Sequence, residues 1–87
     1  MAAIVKLNDA FTETEIDDEV VLMKLDTGEF FSMTGTGRDI WLLIDGSRDR
    51  DAIVAALVSE FDGTEADIAG DVDEYIARLR DAGLVAA

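Results

Sequence analysis

Along this chain the apolar residues change rhythm near position 34. Before it they come in short alternating or continuous runs bounded by turn residues; after it they recur every three or four positions. A period of two belongs to strands and a period near 3.6 to helices. Residues 11–16 (Phe-Thr-Glu-Thr-Glu-Ile) alternate Thr with Glu and predict a strand with one wet face. Asp17-Asp18 follows as a turn signal. Residues 19–25 are rich in β-branched and aliphatic side chains, and Asp26-Thr27-Gly28 predicts a hairpin turn whose Gly takes positive φ. Residues 29–33 form the return strand. Its Phe30, Phe31 and Met33 fall on both faces, so both are expected to meet something apolar. Alternation lets at most one of the two phenylalanines point at the helices.

Thr34-Gly35-Thr36-Gly37 breaks the strand, with Thr36 as the candidate N-cap of a short helix over residues 37–44. Ile40, Trp41 and Ile44 share its buried face, and Asp45-Gly46-Ser47 ends it. A second helix over residues 50–61, capped by Ser47, carries Ile53, Val54, Leu57, Val58 and Phe61 on one stripe, with Asp62-Gly63 as its stop. Thr64 and Asp67 resemble an acidic capping box, and the third helix runs to about Ala82. It buries Ile68, Val72, Ile76 and Leu79, with Tyr75 on the flank of the stripe, and Gly83 occupies the C′ position.

Strands that precede all the helices predict an α+β domain: a three-stranded antiparallel sheet followed by three helices, the first two forming a helix-turn-helix. With hairpin connections the sheet is a meander, which leaves residues 29–33 at an edge. An unpaired edge is either a hazard that must be blunted or a rail for an incoming peptide. A rail of five residues offers only a few main-chain hydrogen bonds, each worth about 1 kcal/mol net. Apolar anchors must therefore supply most of the binding, at roughly 1.5–3 kcal/mol for each large side chain buried. Proline at Phe31 or Ser32 is expected to abolish such binding with a smaller effect on folding.

The composition narrows what this domain does. Eighty-seven residues, 49% of them hydrophobic, make one domain with one modest core. Twenty acidic residues against seven basic ones give a net charge of −13, which repels nucleic acid and anionic membranes. Neither is an expected partner. With no Cys and no His, thiol nucleophiles, zinc sites of the usual kind and His acid–base chemistry are excluded, and neither catalysis nor a cofactor is expected. No signal-peptide core and no apolar run of ~18 residues is present, so a cytoplasmic location is expected. Asp45-Gly46-Ser47 is similar to the serine site of acyl carrier proteins, but the strands argue against that fold. Asp45, Ser47, Asp49 and Asp51 fail as a calcium loop because Arg50 and Ala56 stand where Gly and Glu are needed. Thr34-Gly35-Thr36-Gly37 lacks the Lys-Ser/Thr of a P-loop.

Taken in order, the hairpin Leu25-Asp-Thr-Gly-Glu-Phe-Phe31, Met33-Thr-Gly-Thr-Gly37 leading into Ile40-Trp41-Leu-Leu, Asp45-Gly46, the helix with Ile53, Leu57 and Phe61, and the closing Leu79-Arg-Asp-Ala-Gly-Leu-Val85 resemble the PqqD-like family. These small domains are also called RiPP recognition elements. Residues 11–85 carry the resemblance; it makes 1–10 an N-terminal tail and 11–87 the peptide-binding domain. Met33 stands where Leu is frequent, a volume-conserving exchange. The resemblance implies a winged helix-turn-helix that binds the leader of a ribosomally synthesised precursor peptide and presents it to a maturation enzyme, such as a leader peptidase or a radical SAM enzyme. Lasso-peptide and pyrroloquinoline-quinone pathways use such domains. The leader would add as an antiparallel strand to Glu29, Phe30, Phe31, Ser32 and Met33, in a groove against Val72, Tyr75, Ile76 and Leu79. Asp71, Glu74 and Arg78 flank that groove, and the two acids are expected to steer a basic leader. The alternative role is a winged-helix DNA-binding or regulatory domain, disfavoured because the second and third helices carry only Arg50, Arg78 and Arg80. An apolar edge also allows pairing of two copies as a homodimer.

Overall fold

A computed structural model of the chain describes residues 3–60 and 63–86. The elements are β1 (Val5–Lys6), a 3-10 turn (Asn8–Ala10), β2 (Phe11–Ile16), β3 (Glu19–Lys24), β4 (Phe30–Met33), α1 (Gly35–Leu43), α2 (Arg50–Glu60), α3 (Glu65–Asp81) and β5 (Val85–Ala86). The three-stranded antiparallel meander β2-β3-β4 and the three helices are those expected from the periodicity. A second, two-stranded sheet is not: β1 pairs antiparallel with β5, Val5 opposite Ala86 and Lys6 opposite Val85.

That pairing changes the status of the N-terminal segment. Residues 3–10 pack on the domain and are not a loose tail. Ile4 is buried, and its N–H donates to the Arg48 carbonyl at 3.0 Å. The Lys6 ammonium lies 4.3 Å from the ring centre of the fully buried Trp41. Burial pushes the Lys6 pKa down against the pull of Glu13 and Asp45. Two-residue strands carry no periodicity, so no sequence pattern marks them.

Local chemistry sets the ends of the helices. Thr34, in extended conformation, is the N-cap of α1, so the helix starts two residues before the expected position. The repeat Thr-Gly-Thr-Gly offers two equivalent starts, and the earlier one carries β4 straight into the helix. For α2 the capping side chain is Asp49, whose Oδ1 accepts the Ala52 N–H at 2.9 Å. Ser47, the expected cap, instead donates its N–H and hydroxyl to Asp45 Oδ1. Phe61 and Asp62, expected to close α2, lie outside the described residues. Thr64 caps α3 as expected, its Oγ1 accepting the Asp67 N–H at 3.2 Å. At the other end Gly83 takes φ +78° and its N–H donates to the Arg80 carbonyl, while the Leu84 N–H donates to that of Leu79. This is a Schellman turn. It folds the fully buried Leu84 back under the helix end.

One core joins the layers. Val20, Leu22 and Met33 from the sheet meet Ile40, Trp41 and Ile44, with Ile53, Val54 and Leu57 of α2 and Val72, Ile76 and Leu79 of α3 around them. The Phe11 ring meets Trp41 edge-to-face at 5.5 Å. The helices cover one face of the meander and leave its other face, with Ile16 and Phe30, exposed. Among the described residues no helix is long and apolar enough to cross a membrane.

Candidate functional site

The hairpin turn fixes which main-chain groups of β4 are free. Residues 25–28 form a four-residue loop in which Gly28, at φ +73°, donates to the Lys24 carbonyl, and the Lys24 N–H donates to the Glu29 carbonyl at 2.8 Å. Lys24 and Glu29 are therefore a hydrogen-bonded pair. Such pairs alternate along an antiparallel ladder. With Leu22 opposite Phe31 and Val20 opposite Met33, the main-chain groups of Phe31 and Met33 turn toward β3. Those of Phe30 and Ser32 turn outward. The Leu25 N–H donates to the carbonyl of Ala10, the residue before β2, which gives β3 the same phase. No other strand among the described residues pairs with β4 on that side.

Side chains follow the same parity. Phe31 and Met33 share the helix-side face with the buried Val20 and Leu22. Phe30 and Ser32 point to the uncovered face, and Phe30 is 70% exposed. The ambiguity between the phenylalanines is thereby resolved: Phe31 lies toward the helices, while Phe30 stands opposite Met23 on the uncovered face and stays exposed. The Ser32 hydroxyl donates to Glu19 Oε2 on the uncovered face.

Helix α3 forms the opposite wall. Two contacts orient it against β4. The Tyr75 ring lies over Gly37, at the end of the groove into which β4 runs, and the Lys24 ammonium lies against Gly83, beside the hairpin. The strand and the helix therefore run in opposite directions. Between them is a groove of about 360 Å³ lined by Phe30, Phe31, Ser32, Met33, Tyr75, Arg78, Leu79, Ala82 and Leu84. It continues into a cleft of about 200 Å³ lined by Asp71, Glu74, Tyr75 and Arg78. The floor is apolar and the far end acidic. Arg78 lines both parts and is bound to Glu74 at 2.7 Å. Burial pushes the Tyr75 phenol pKa up, opposed by Arg78, so its hydroxyl stays protonated.

The expected site residues divide accordingly. Phe30, Phe31, Ser32, Met33, Tyr75, Arg78 and Leu79 come together in the groove, and Asp71 lies at its acidic end. Val72 and Ile76 are buried beneath it as core residues. Glu29 lies in the turn, outside the lining, its N–H bonded to Thr27 Oγ1 and its carbonyl to the Lys24 N–H. Glu74, expected with Asp71 to steer a leader, lines the acidic end. Ala82 and Leu84 line the groove, although sequence reasoning placed neither of them in the site. The signal for Leu84 was Gly83 at C′, since the following apolar residue folds back onto the helix.

Elsewhere, a cleft of about 550 Å³ lies along α2 and one of about 600 Å³ is lined by Lys6, Leu7, Asn8, Asp9 and Ala10. Each arginine is paired with a carboxylate: Arg38 with Glu15, Arg48 with Asp45, Arg50 with Asp51 and Asp73, Arg78 with Glu74, and Arg80 with Asp81. They form no cationic patch. Among the described residues no group of three or more Asp or Glu is placed to hold a metal ion.

Comparison with curated proteins returns no match. Among solved structures the fold is similar to TbiB1 in complex with the TbiA(beta) leader peptide, with a TM-score of 0.84 and 31% sequence identity over 93% of this chain and 94% of that one. Residues 19–85 match the family model described as coenzyme PQQ synthesis protein D. That span holds the hairpin, all three helices and both walls of the groove, and on it the chain belongs to the PqqD family.

Proposed function

We propose that this protein is a non-catalytic adaptor that captures the leader of a ribosomally synthesised precursor peptide by strand addition to β4 and presents it to a maturation enzyme. The observation that carries this is the open margin of β4 set over an apolar groove against α3, in a chain similar to a protein solved with a leader peptide. An incoming strand would exchange main-chain hydrogen bonds with Phe30 and Ser32. Its alternate side chains would enter the groove over Phe31, Met33, Leu79 and Leu84. Antiparallel addition suits a sheet that is antiparallel throughout, because the bonds then lie straight across the strands. The three strands and three helices serve this role as a winged helix-turn-helix whose binding wall is the third helix and the wing's edge, not a basic recognition helix.

The enzyme receiving the leader is a leader peptidase or a radical SAM enzyme of a lasso-peptide or PQQ-type pathway, acting in the cytoplasm. Backbone amide shifts during titration with a cognate leader peptide test the proposal. Phe30, Ser32 and the groove-facing turn of α3 are expected to move, while β2 stays still. Saturation of the peptide with the β4 amides unmoved would falsify it. Concentration-dependent line broadening of the free protein would instead identify a second copy as the occupant of the edge.

A further inference from the structure

We infer that Gly37, which does not line the groove, is a specificity-determining position that sets how large a side chain the groove accepts. This rests on the proposed leader binding and names a device within it. The observation is a close approach. A Cβ at Gly37 would stand 3.1 Å from Tyr75 Cε1, 3.1 Å from its hydroxyl oxygen and 3.2 Å from Cζ. About nine in ten side-chain contacts of a Cβ are looser than this, so one of the two must give by a few tenths of an ångström. Gly37 lies in the first turn of α1, which follows β4 directly through Thr34. Tyr75 is only half-buried and faces the open groove on its other side. The ring is the part that moves.

Tyr75 borders both the apolar groove and its acidic extension, so its ring is the partition between them. With the hydroxyl end of the ring against Gly37, the groove keeps space between Tyr75 and Met33 for a large apolar leader side chain. A methyl group at position 37 would tilt the ring a few tenths of an ångström into that space. All three atoms nearest that position belong to Tyr75, whose ring is half-buried, so the cost falls mainly on the groove and its ligand. Gly37 is thus a positioning residue acting through Tyr75.

The test is selection of a displayed library of random ten-residue peptides on the wild type, Gly37→Ala, Tyr75→Leu and the Gly37→Ala/Tyr75→Leu double variant, with Ser32→Pro as the blocked-edge control. The wild type is expected to enrich large apolar residues at one position of the selected peptides. Gly37→Ala should shift that position to small residues and weaken binding of the wild-type selectants about tenfold, as loss of space for one or two methylenes does in a rigid pocket. Its melting temperature should change little. In the Tyr75→Leu background the same Ala substitution should leave the selected residues unchanged. Identical selectants for wild type and Gly37→Ala would overturn the inference, and so would an equal shift with and without the Tyr75 ring. Enrichment on the wild type no greater than on Ser32→Pro would instead remove strand addition itself.

Discussion

The two margins of the β2-β3-β4 sheet present similar rows of unpaired main-chain groups and opposite side chains. On β2 the outward groups belong to Phe11, Glu13 and Glu15; on β4 they belong to Phe30 and Ser32. The positions that matter most point toward the helices. At β2 these are Glu13 and Glu15, opposite Leu22 and Val20, and at β4 they are Phe31 and Met33, opposite the same two residues. An inward-pointing charge at a sheet edge blocks further strand addition, because a new strand would have to bury it. Glu15 is additionally held by Arg38 of α1. The margin at β4 has no such guard and has a groove beside it. One sheet thus carries a protected edge and an available one, and the difference lies in two residues on each strand.

The sharpest way to break this comparison is a matched pair of prolines. Ser32→Pro and Glu13→Pro each remove an N–H that faces outward, so neither breaks a bond to β3. Ser32→Pro is expected to cost a leader peptide about 2–3 kcal/mol, the worth of one or two main-chain bonds plus the clash of the ring with the added strand. Glu13→Pro should leave binding unchanged. Isothermal titration of both variants decides it, and comparable losses would mean that the edges do not differ in function. Phe31→Pro is not an equivalent test, although the sequence alone put it beside Ser32. The Phe31 N–H faces β3, so proline there breaks the sheet and loss of binding would follow from unfolding.

A smaller effect separates the two phenylalanines. Phe31→Ala removes a half-buried ring packed against the core and should cost about 1–2 kcal/mol of stability, less than the full penalty for a buried Phe. Phe30→Ala, at a side chain 70% exposed, should fall within about 0.5 kcal/mol of wild type. Thermal denaturation measures both. Equal losses would mean that the uncovered face of the sheet contributes to the fold.

Why this distinction could not be read from the chain is instructive. Alternation assigns neighbours to opposite faces without saying which face is which. The choice depends on the register, and that depends on residues 25–28 forming a four-residue loop, whereas Asp26-Thr27-Gly28 is also compatible with shorter turns. The meander, the three helices and the edge position of β4 follow from periodicity and turn chemistry alone. Tyr75 on the flank of its stripe was equally legible. Val72 and Ile76 were ascribed to the groove by family resemblance, whereas their buried positions on the stripe already marked them as core. What stayed hidden depends on contacts distant in sequence: the β1–β5 pair, the seat of Tyr75 on Gly37, and Leu84 in the groove.

The weakest expected effect concerns charge. Glu74 neutralises Arg78 at the far end of the groove, which leaves Asp71 as the excess charge there, within a protein of net charge −13. At the hairpin end the Lys24 ammonium lies against the last turn of α3, where it also complements the helix carbonyls. An antiparallel leader enters with its N-terminal part at the acidic end and leaves past Lys24. A leader with basic residues in its N-terminal part therefore meets attraction where it begins. Raising the salt from ~20 to ~500 mM shortens the screening length from about 20 Å to about 4 Å and should slow association, weakening affinity by no more than about tenfold. Dissociation, governed by the β4 bonds and the apolar floor, should hardly change. Stopped-flow or surface-plasmon rates separate the two. If the loss appears in dissociation, or if affinity rises with salt, the acids of α3 serve solubility alone and the margin of β4 recognises its ligand without steering it.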